Sequence, residues 1–173
     1  MSLKKNKIGI LGGTFDPAHK GHLTISKEAV KRFMLKEVIW AITKKNPFKR
    51  KSNTNLTIRI KNCKKIISAN SFIKVKFYEK IIKSNKTINL INHLKKDKSI
   101  EIYFLMGADN LINFHKWHKS KLISQKCNIL FFDRHGYKKN SLKSKTFKQL
   151  SKANLEFIEF NKVNISSSQL RKI

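Results

Sequence analysis

The sequence predicts an α/β protein: a single domain over residues 1–173, built on an open, mostly parallel sheet with helices on both faces. Three observations predict this. Apolar runs of strand length recur at 8–11, 37–42, 101–106 and 128–133, and strands that are apolar throughout are buried on both sides, as in parallel sheets covered by helices. The first two runs are separated by a stretch of helical periodicity, and a strand-helix-strand unit of that kind brings its strands together in parallel. At 173 residues the chain is long enough to bury one core, and no stretch reads as a linker.

The first run, Ile8-Gly9-Ile10-Leu11, ends in Gly12-Gly13 and reads as a buried strand, a tight turn and then a helix. Such a junction suits an anion: glycines let backbone N–H groups approach closely, and a helix N-terminus adds donors and a partial positive charge. Leu23, Ala29, Val30, Phe33 and Met34 form an apolar face opposite Lys27, Glu28 and Lys31, so the helix is expected to reach about Met34. Residues 37–42 give a second strand, followed by the basic loop Thr43-Lys44-Lys45-Asn46-Pro47-Phe48-Lys49. That loop lies at the carboxyl edge, where open parallel sheets place their ligands. Leu56, Ile60, Cys63, Ile66 and Ile67 predict a second helix, and 72–76 alternates as a third, shorter strand nearer an edge. Residues 101–106 are the clearest buried strand after the first, and 128–133 is another. The lysine- and serine-rich stretch 138–154 has weak periodicity and reads as a surface loop with one short helix at most. Residues 155–160 alternate as a last strand, and Ile165-Ser166-Ser167-Ser168-Gln169-Leu170-Arg171 reads as a capped helix start.

Composition narrows the partners. The net charge is +29, which in general points to nucleic acid or an acidic membrane. Yet 34 of the 39 basic residues are lysine, spread from end to end and accompanied by much Asn and Ile. A coding bias toward A/T-rich codons explains this better than a dedicated nucleic-acid surface, although a lysine-rich exterior still attracts polyphosphates. No signal peptide and no membrane-length apolar stretch is present, so a cytoplasmic location is expected. Cys63 and Cys127 fit reduced, packed thiols and form no metal-binding spacing.

Several residues carry chemistry. His19 and His22, three apart at the expected helix start, can face one side above the glycine turn and donate to phosphate oxygens. Neither G-x-x-x-x-G-K-[ST] nor G-x-G-x-x-G occurs, which argues against a P-loop hydrolase or an ordinary dinucleotide-binding dehydrogenase. Asp109 follows the strand over 101–106, where a carboxylate can accept from ribose hydroxyls or orient the water shell of Mg²⁺. Trp117 is either a half-buried core aromatic or a stacking platform. His115 and His118 have no apparent third ligand and read as structural. Near the end, Ser166, Ser167 and Ser168 can present hydroxyl and amide donors to a phosphate that Arg171, one turn on, can clamp.

The stretch Gly12-Gly13-Thr14-Phe15-Asp16-Pro17-x-His19-x-Gly21-His22 resembles the signature of the nucleotidyltransferase superfamily, and Ile165-Ser166-Ser167-Ser168-x-x-Arg171 is similar to its second signature, Ile-Ser-Ser-Thr-x-x-Arg. Gly107-Ala108-Asp109 with Trp117, and Arg134-x-Gly136, make the chain most similar to the nicotinate-nucleotide adenylyltransferases within that superfamily. The resemblance implies a Rossmann-like fold and adenylyl transfer from ATP to nicotinate mononucleotide, with Mg²⁺ accompanying ATP through its phosphates and no separate protein-held metal. It implies catalytic roles for His19, His22, Lys49 and Arg171. The ATP site would comprise Gly12, Gly13, Thr14, Phe15, His19, His22, Gly107, Asp109, Ile165, Ser166, Ser167, Ser168 and Arg171. Thr14, Phe15, Lys49, Thr87, Trp117 and Arg134 would meet the mononucleotide. Arg59 occupies the family's arginine position. Lys86 stands where the family has an aromatic residue, so Thr87 contacts substrate or merely caps a helix. The chain also stops at Ile173, where most relatives continue through further helices. A monomer or homodimer is expected, without membrane or nucleic-acid partners. The alternatives are an adenylyltransferase acting on nicotinamide mononucleotide or phosphopantetheine, and a non-catalytic basic nucleic-acid-binding protein on the same fold.

Overall fold

The computed structural model describes residues 5–46, 52–150 and 154–159. The chain passes in order through β1 (Asn6–Gly13), α1 (Lys20–Phe33), β2 (Glu37–Ile42), α2 (Leu56–Ile67), β3 (Ile73–Lys76), α3 (Glu79–Ile82), α4 (Thr87–Leu94), β4 (Ile100–Gly107) and α5 (Ala108–Leu111). A 3₁₀ turn at Phe114–Lys116, α6 (Ser120–Lys126), β5 (Asn128–Phe132), α7 (Lys138–Leu142), α8 (Lys145–Leu150) and β6 (Leu155–Ile158) follow. Among the described residues the strands form one six-stranded sheet in the order β3-β2-β1-β4-β5-β6, every neighbouring pair parallel. This is the Rossmann-like arrangement, in which the direction of winding reverses between β1 and β4.

The all-apolar strands have the expected cause. Side chains alternate between faces along a strand, and both faces here are buried. Leu11, Val38, Trp40 and Leu105 face one core with Ala29 of α1 and Cys63 of α2. Their neighbours Ile10, Ile39, Phe104 and Met106 face a second core with Ile88 and Ile91 of α4 and Ile123 of α6. Gly9 is glycine because of this crowding: a Cβ there would stand 2.9 Å from Leu35 Cδ1 and 3.0 Å from Val38 Cγ2.

Three expectations need correction. Gly12 and Gly13 belong to the strand, paired with Ala41 and Ile42 of β2, and the turn lies one step later. There Phe15, not a glycine, takes the left-handed conformation at φ 49°. Thr87 is not a helix cap, because Lys86 holds the cap position of α4 while Ser84 Oγ accepts from Lys86 N at 3.2 Å. Finally, 138–150 is no simple surface loop. It folds into α7 and α8, and its Ser141 and Thr146 are fully buried because their hydroxyls find acceptors and donors inside the fold.

Candidate active site

The sheet itself makes the crevice. β1 stays paired with β2 to Gly13↔Ile42, and β4 stays paired with β5 to Gly107↔Phe132. The pairing of β1 with β4 stops earlier, at Leu11↔Leu105. Beyond that point the two central strands part, so Gly12-Gly13-Thr14 and Gly107-Ala108-Asp109 flank one cleft at the carboxyl edge, at the switch point where such sheets bind ligands.

On the β1 side the two histidines hold each other. His19 is the cap of α1, and its Nδ1 accepts from Gly21 N at 3.1 Å. His19 N in turn donates to His22 Nδ1 at 3.2 Å, which completes a capping box made of imidazoles in place of the usual Ser and Glu. The rings lie 3.9 Å apart, centre to centre. Because both Nδ1 atoms accept, the proton of each neutral ring is on Nε2. The amides of Gly21 and His22 are engaged by His19 Nδ1 and His19 O. Beneath the pair, Phe15 stacks on Trp40 at 5.0 Å and meets His22 at 4.7 Å. Trp40 Nε1 donates to Ser26 Oγ, whose hydroxyl donates to His22 O. Phe15 is 2 % exposed; its ring belongs to this floor, and what it can offer a ligand is main chain.

Two buried ions that the sequence did not single out for a role fix the surrounding loops. Asp16 accepts from Asn53 N at 2.6 Å and Thr54 N at 3.2 Å. Arg59 Nη1 donates to Thr14 O at 2.6 Å and Thr43 O at 2.9 Å, Nη2 to Lys44 O at 3.3 Å, and Nε to Thr54 O at 3.1 Å. One guanidinium thus gathers the ends of β1 and β2 and the approach to α2, a task suited to its rigid fork of donors. Glu79 of α3 accepts from Thr43 Oγ1 and, at 3.2 Å, from Lys44 N. A signal for Arg59 was present: it lies on the apolar stripe of its helix between Leu56 and Cys63, where a charge needs a buried purpose.

On the β4 side Asp109 Oδ2 pairs with Arg134 Nη1 at 2.8 Å, while Asp109 Oδ1 is buried with no partner. Gly107 is the residue that permits this placement, since a Cβ there would be 2.5 Å from Asp109 Oδ1. Arg134 opens a turn in which Tyr137 N donates to Arg134 O at 2.9 Å and Gly136 takes φ 80°. Trp117 is half-buried, edge-on to Phe104 and tilted against Phe114. Thr87 opens α4, half-buried. His115 is structural, bonded to Thr146. Lys49, Ile165, Ser166, Ser167, Ser168 and Arg171 lie outside the described residues, and with them the expected meeting of the two signatures.

Cys63 and Cys127 are free thiols, both buried. Burial pushes each up to about 12, a nearby Arg59 and Lys95 respectively opposing it in part. Neither is placed for chemistry.

A family model described as cytidylyltransferase-like matches residues 10–173. A curated protein of Pelagibacter ubique (strain HTCC1062), named probable nicotinate-nucleotide adenylyltransferase, is 68% identical over 173 residues, spanning 100% of this chain and 96% of its own. One of the same name from Clostridium perfringens (strain SM101 / Type A) is 35% identical, covering 96% of this chain and 85% of its own. A solved structure of the Plasmodium falciparum nicotinic acid mononucleotide adenylyltransferase complexed with NaAD superimposes with a TM-score of 0.77 at 22% identity, over 96% of this chain and 83% of that one. A sheet of this order, a histidine pair at its switch point and full-length similarity at this level have one reading: the chain belongs to the cytidylyltransferase-like family and, within it, to the nicotinate-nucleotide adenylyltransferases.

Proposed function

We propose that the chain transfers the adenylyl group of ATP to nicotinate mononucleotide, giving nicotinate adenine dinucleotide and pyrophosphate, the adenylylation step of NAD synthesis. The observation that carries this reading is the imidazole capping box beside the cleft between β1 and β4. The mononucleotide's 5′-phosphate oxygen attacks the ATP α-phosphorus in line as the bond to the pyrophosphate oxygen breaks. No covalent enzyme intermediate is needed. Such a site works by alignment and charge neutralisation. His19 and His22 act as Nε2–H donors to phosphate oxygens on which charge develops, their orientation fixed by the Nδ1 bonds and by the Phe15-Trp40 floor. Lys49 and Arg171 add positive charge to the same phosphates, with Ser166, Ser167 and Ser168 as hydroxyl and amide donors.

Asp109 serves the nucleotide side. Its unpartnered Oδ1 is a hard acceptor that fits a ribose hydroxyl or a water of the Mg²⁺ shell, and Mg²⁺, when bound with ATP, neutralises phosphate charge. Trp117 stacks against the pyridine ring, with Arg134 and Thr87 on the mononucleotide. Among the described residues no helix is long and apolar enough to cross a membrane, and a cytoplasmic location suits a chain that uses ATP.

The test is pyrophosphate release by purified protein given ATP and Mg²⁺ with nicotinate mononucleotide, nicotinamide mononucleotide or phosphopantetheine in turn. The highest kcat/KM is expected with nicotinate mononucleotide. No release with any of the three, together with tight salt-sensitive RNA binding, would favour the nucleic-acid reading instead.

A further inference from the structure

Asp109 and Trp117 stand at two points of one poorly self-supporting segment. It leaves β4 at Gly107, makes the four residues of α5 and then a three-residue 3₁₀ turn. Helices this short do not hold themselves in water. Their support comes from α7 and α8. Ser141 and Thr146 are both 0 % exposed. Ser141 Oγ donates to Ala108 O at 2.9 Å, the residue before Asp109. Thr146 Oγ1 accepts from His115 N at 3.0 Å and lies 3.1 Å from His115 Nδ1, two residues before Trp117. The same hydroxyl thus touches both the main chain and the ring of His115. Phe147 and Leu150 pack onto the same core as Trp117, and Ser120 Oγ donates to His115 O at 3.3 Å.

We infer that Ser141 and Thr146 are positioning residues for substrate recognition: through Ala108 and His115 they set Asp109 and Trp117 at the cleft, and α7-α8 is a brace rather than surface packing. The inference rests on the proposed roles of Asp109 toward the nucleotide and Trp117 toward the pyridine ring. It predicts a division of labour, with Thr146 governing the mononucleotide and Ser141 governing ATP.

Steady-state kinetics of the full chain, both substrates varied, with melting temperatures alongside, tests this. Thr146→Val keeps the shape and removes the hydroxyl. The expected result is a KM for nicotinate mononucleotide raised about tenfold, the size of one buried N–H left without an acceptor, with kcat and KM for ATP within about twofold. Thr146→Ser should restore it. Ser141→Ala should raise KM for ATP instead, and it decides the question if Thr146→Val does not fold. A lowered melting temperature with both KM values unchanged, or Val and Ser variants that behave alike, would overturn the inference. Trp117→Ala separates the two levels. If it leaves KM for the mononucleotide unchanged, the role of Trp117 itself is wrong. If it raises that KM while Thr146→Val and Ser141→Ala change nothing, the brace alone is wrong.

Discussion

At Gly107 the missing side chain does the placing. Its backbone is in the ordinary extended region, φ −72° and ψ 150°, so any residue could adopt it, and what excludes a Cβ is the Asp109 carboxylate 2.5 Å away. Gly107→Ala must push that carboxylate off its place and off Arg134. Since a hydrogen bond involving a charged group is worth about 1.5–3 kcal/mol, KM for ATP is expected to rise roughly tenfold or more, and loss of the partly exposed Arg134 pair should lower the melting temperature by a few degrees. Titrating ATP against initial rate checks this, and an unchanged KM would remove Asp109 from the nucleotide site. The sequence showed a Gly-Ala-Asp turn here, but not that the glycine yields its space to the acid two residues on, because that contact depends on how α5 leaves β4. The imidazole capping box was half legible in the same way. The three-residue spacing of His19 and His22 was visible, whereas which nitrogen each uses follows only from the helix start.

Elements close around the cleft through bonds between segments far apart in the chain. Arg59 of α2 binds carbonyls of Thr14, Thr43, Lys44 and Thr54, so losing it orphans several acceptors at once. Removing a partner from one buried polar group costs about 1–3 kcal/mol. Arg59→Met is therefore expected to cost at least about 2 kcal/mol, or roughly 4–8 °C of melting temperature at this chain length. Arg59→Lys should recover only part, since one ammonium cannot reproduce the fork. Thermal unfolding followed by circular dichroism measures both. Strand content was legible because parallel strands are continuous apolar runs, as in β4 from Ile102 to Met106, all buried. α7 and α8 were not legible. Their stabilising contacts are hydroxyls of Ser141 and Thr146, and a buried serine looks like a surface serine until its partner, here 33 residues away at Ala108, is known.

The whole molecule is a sheet with two cores, each containing one thiol: Cys63 on the α1-α2 side and Cys127 on the α4-α6 side. With both raised to about 12 by burial, native protein at pH 8 should react with a thiol reagent only at the rate at which it opens, and two equivalents should appear on unfolding in denaturant. The sign follows for stability. A thiol whose folded value is raised keeps its proton in the native state while the unfolded chain ionises near 9, so this contribution is intact below pH 9 and falls away between 9 and about 12. Rapid labelling of native protein at pH 8 would contradict the burial of both. At this scale the order of the six strands was the least legible feature, because register and neighbour choice reside in which core each helix covers. That order is what opens the cleft between β1 and β4 and sets the histidines beside it. The most direct measurement is therefore the rate of pyrophosphate formation from ATP, Mg²⁺ and nicotinate mononucleotide by wild-type protein beside His22→Ala of unchanged circular dichroism. The expected result is a loss of about 10²- to 10³-fold in kcat, as for other sites deprived of one donor to a developing charge. Near-normal turnover by folded His22→Ala would contradict the role given to the imidazole pair.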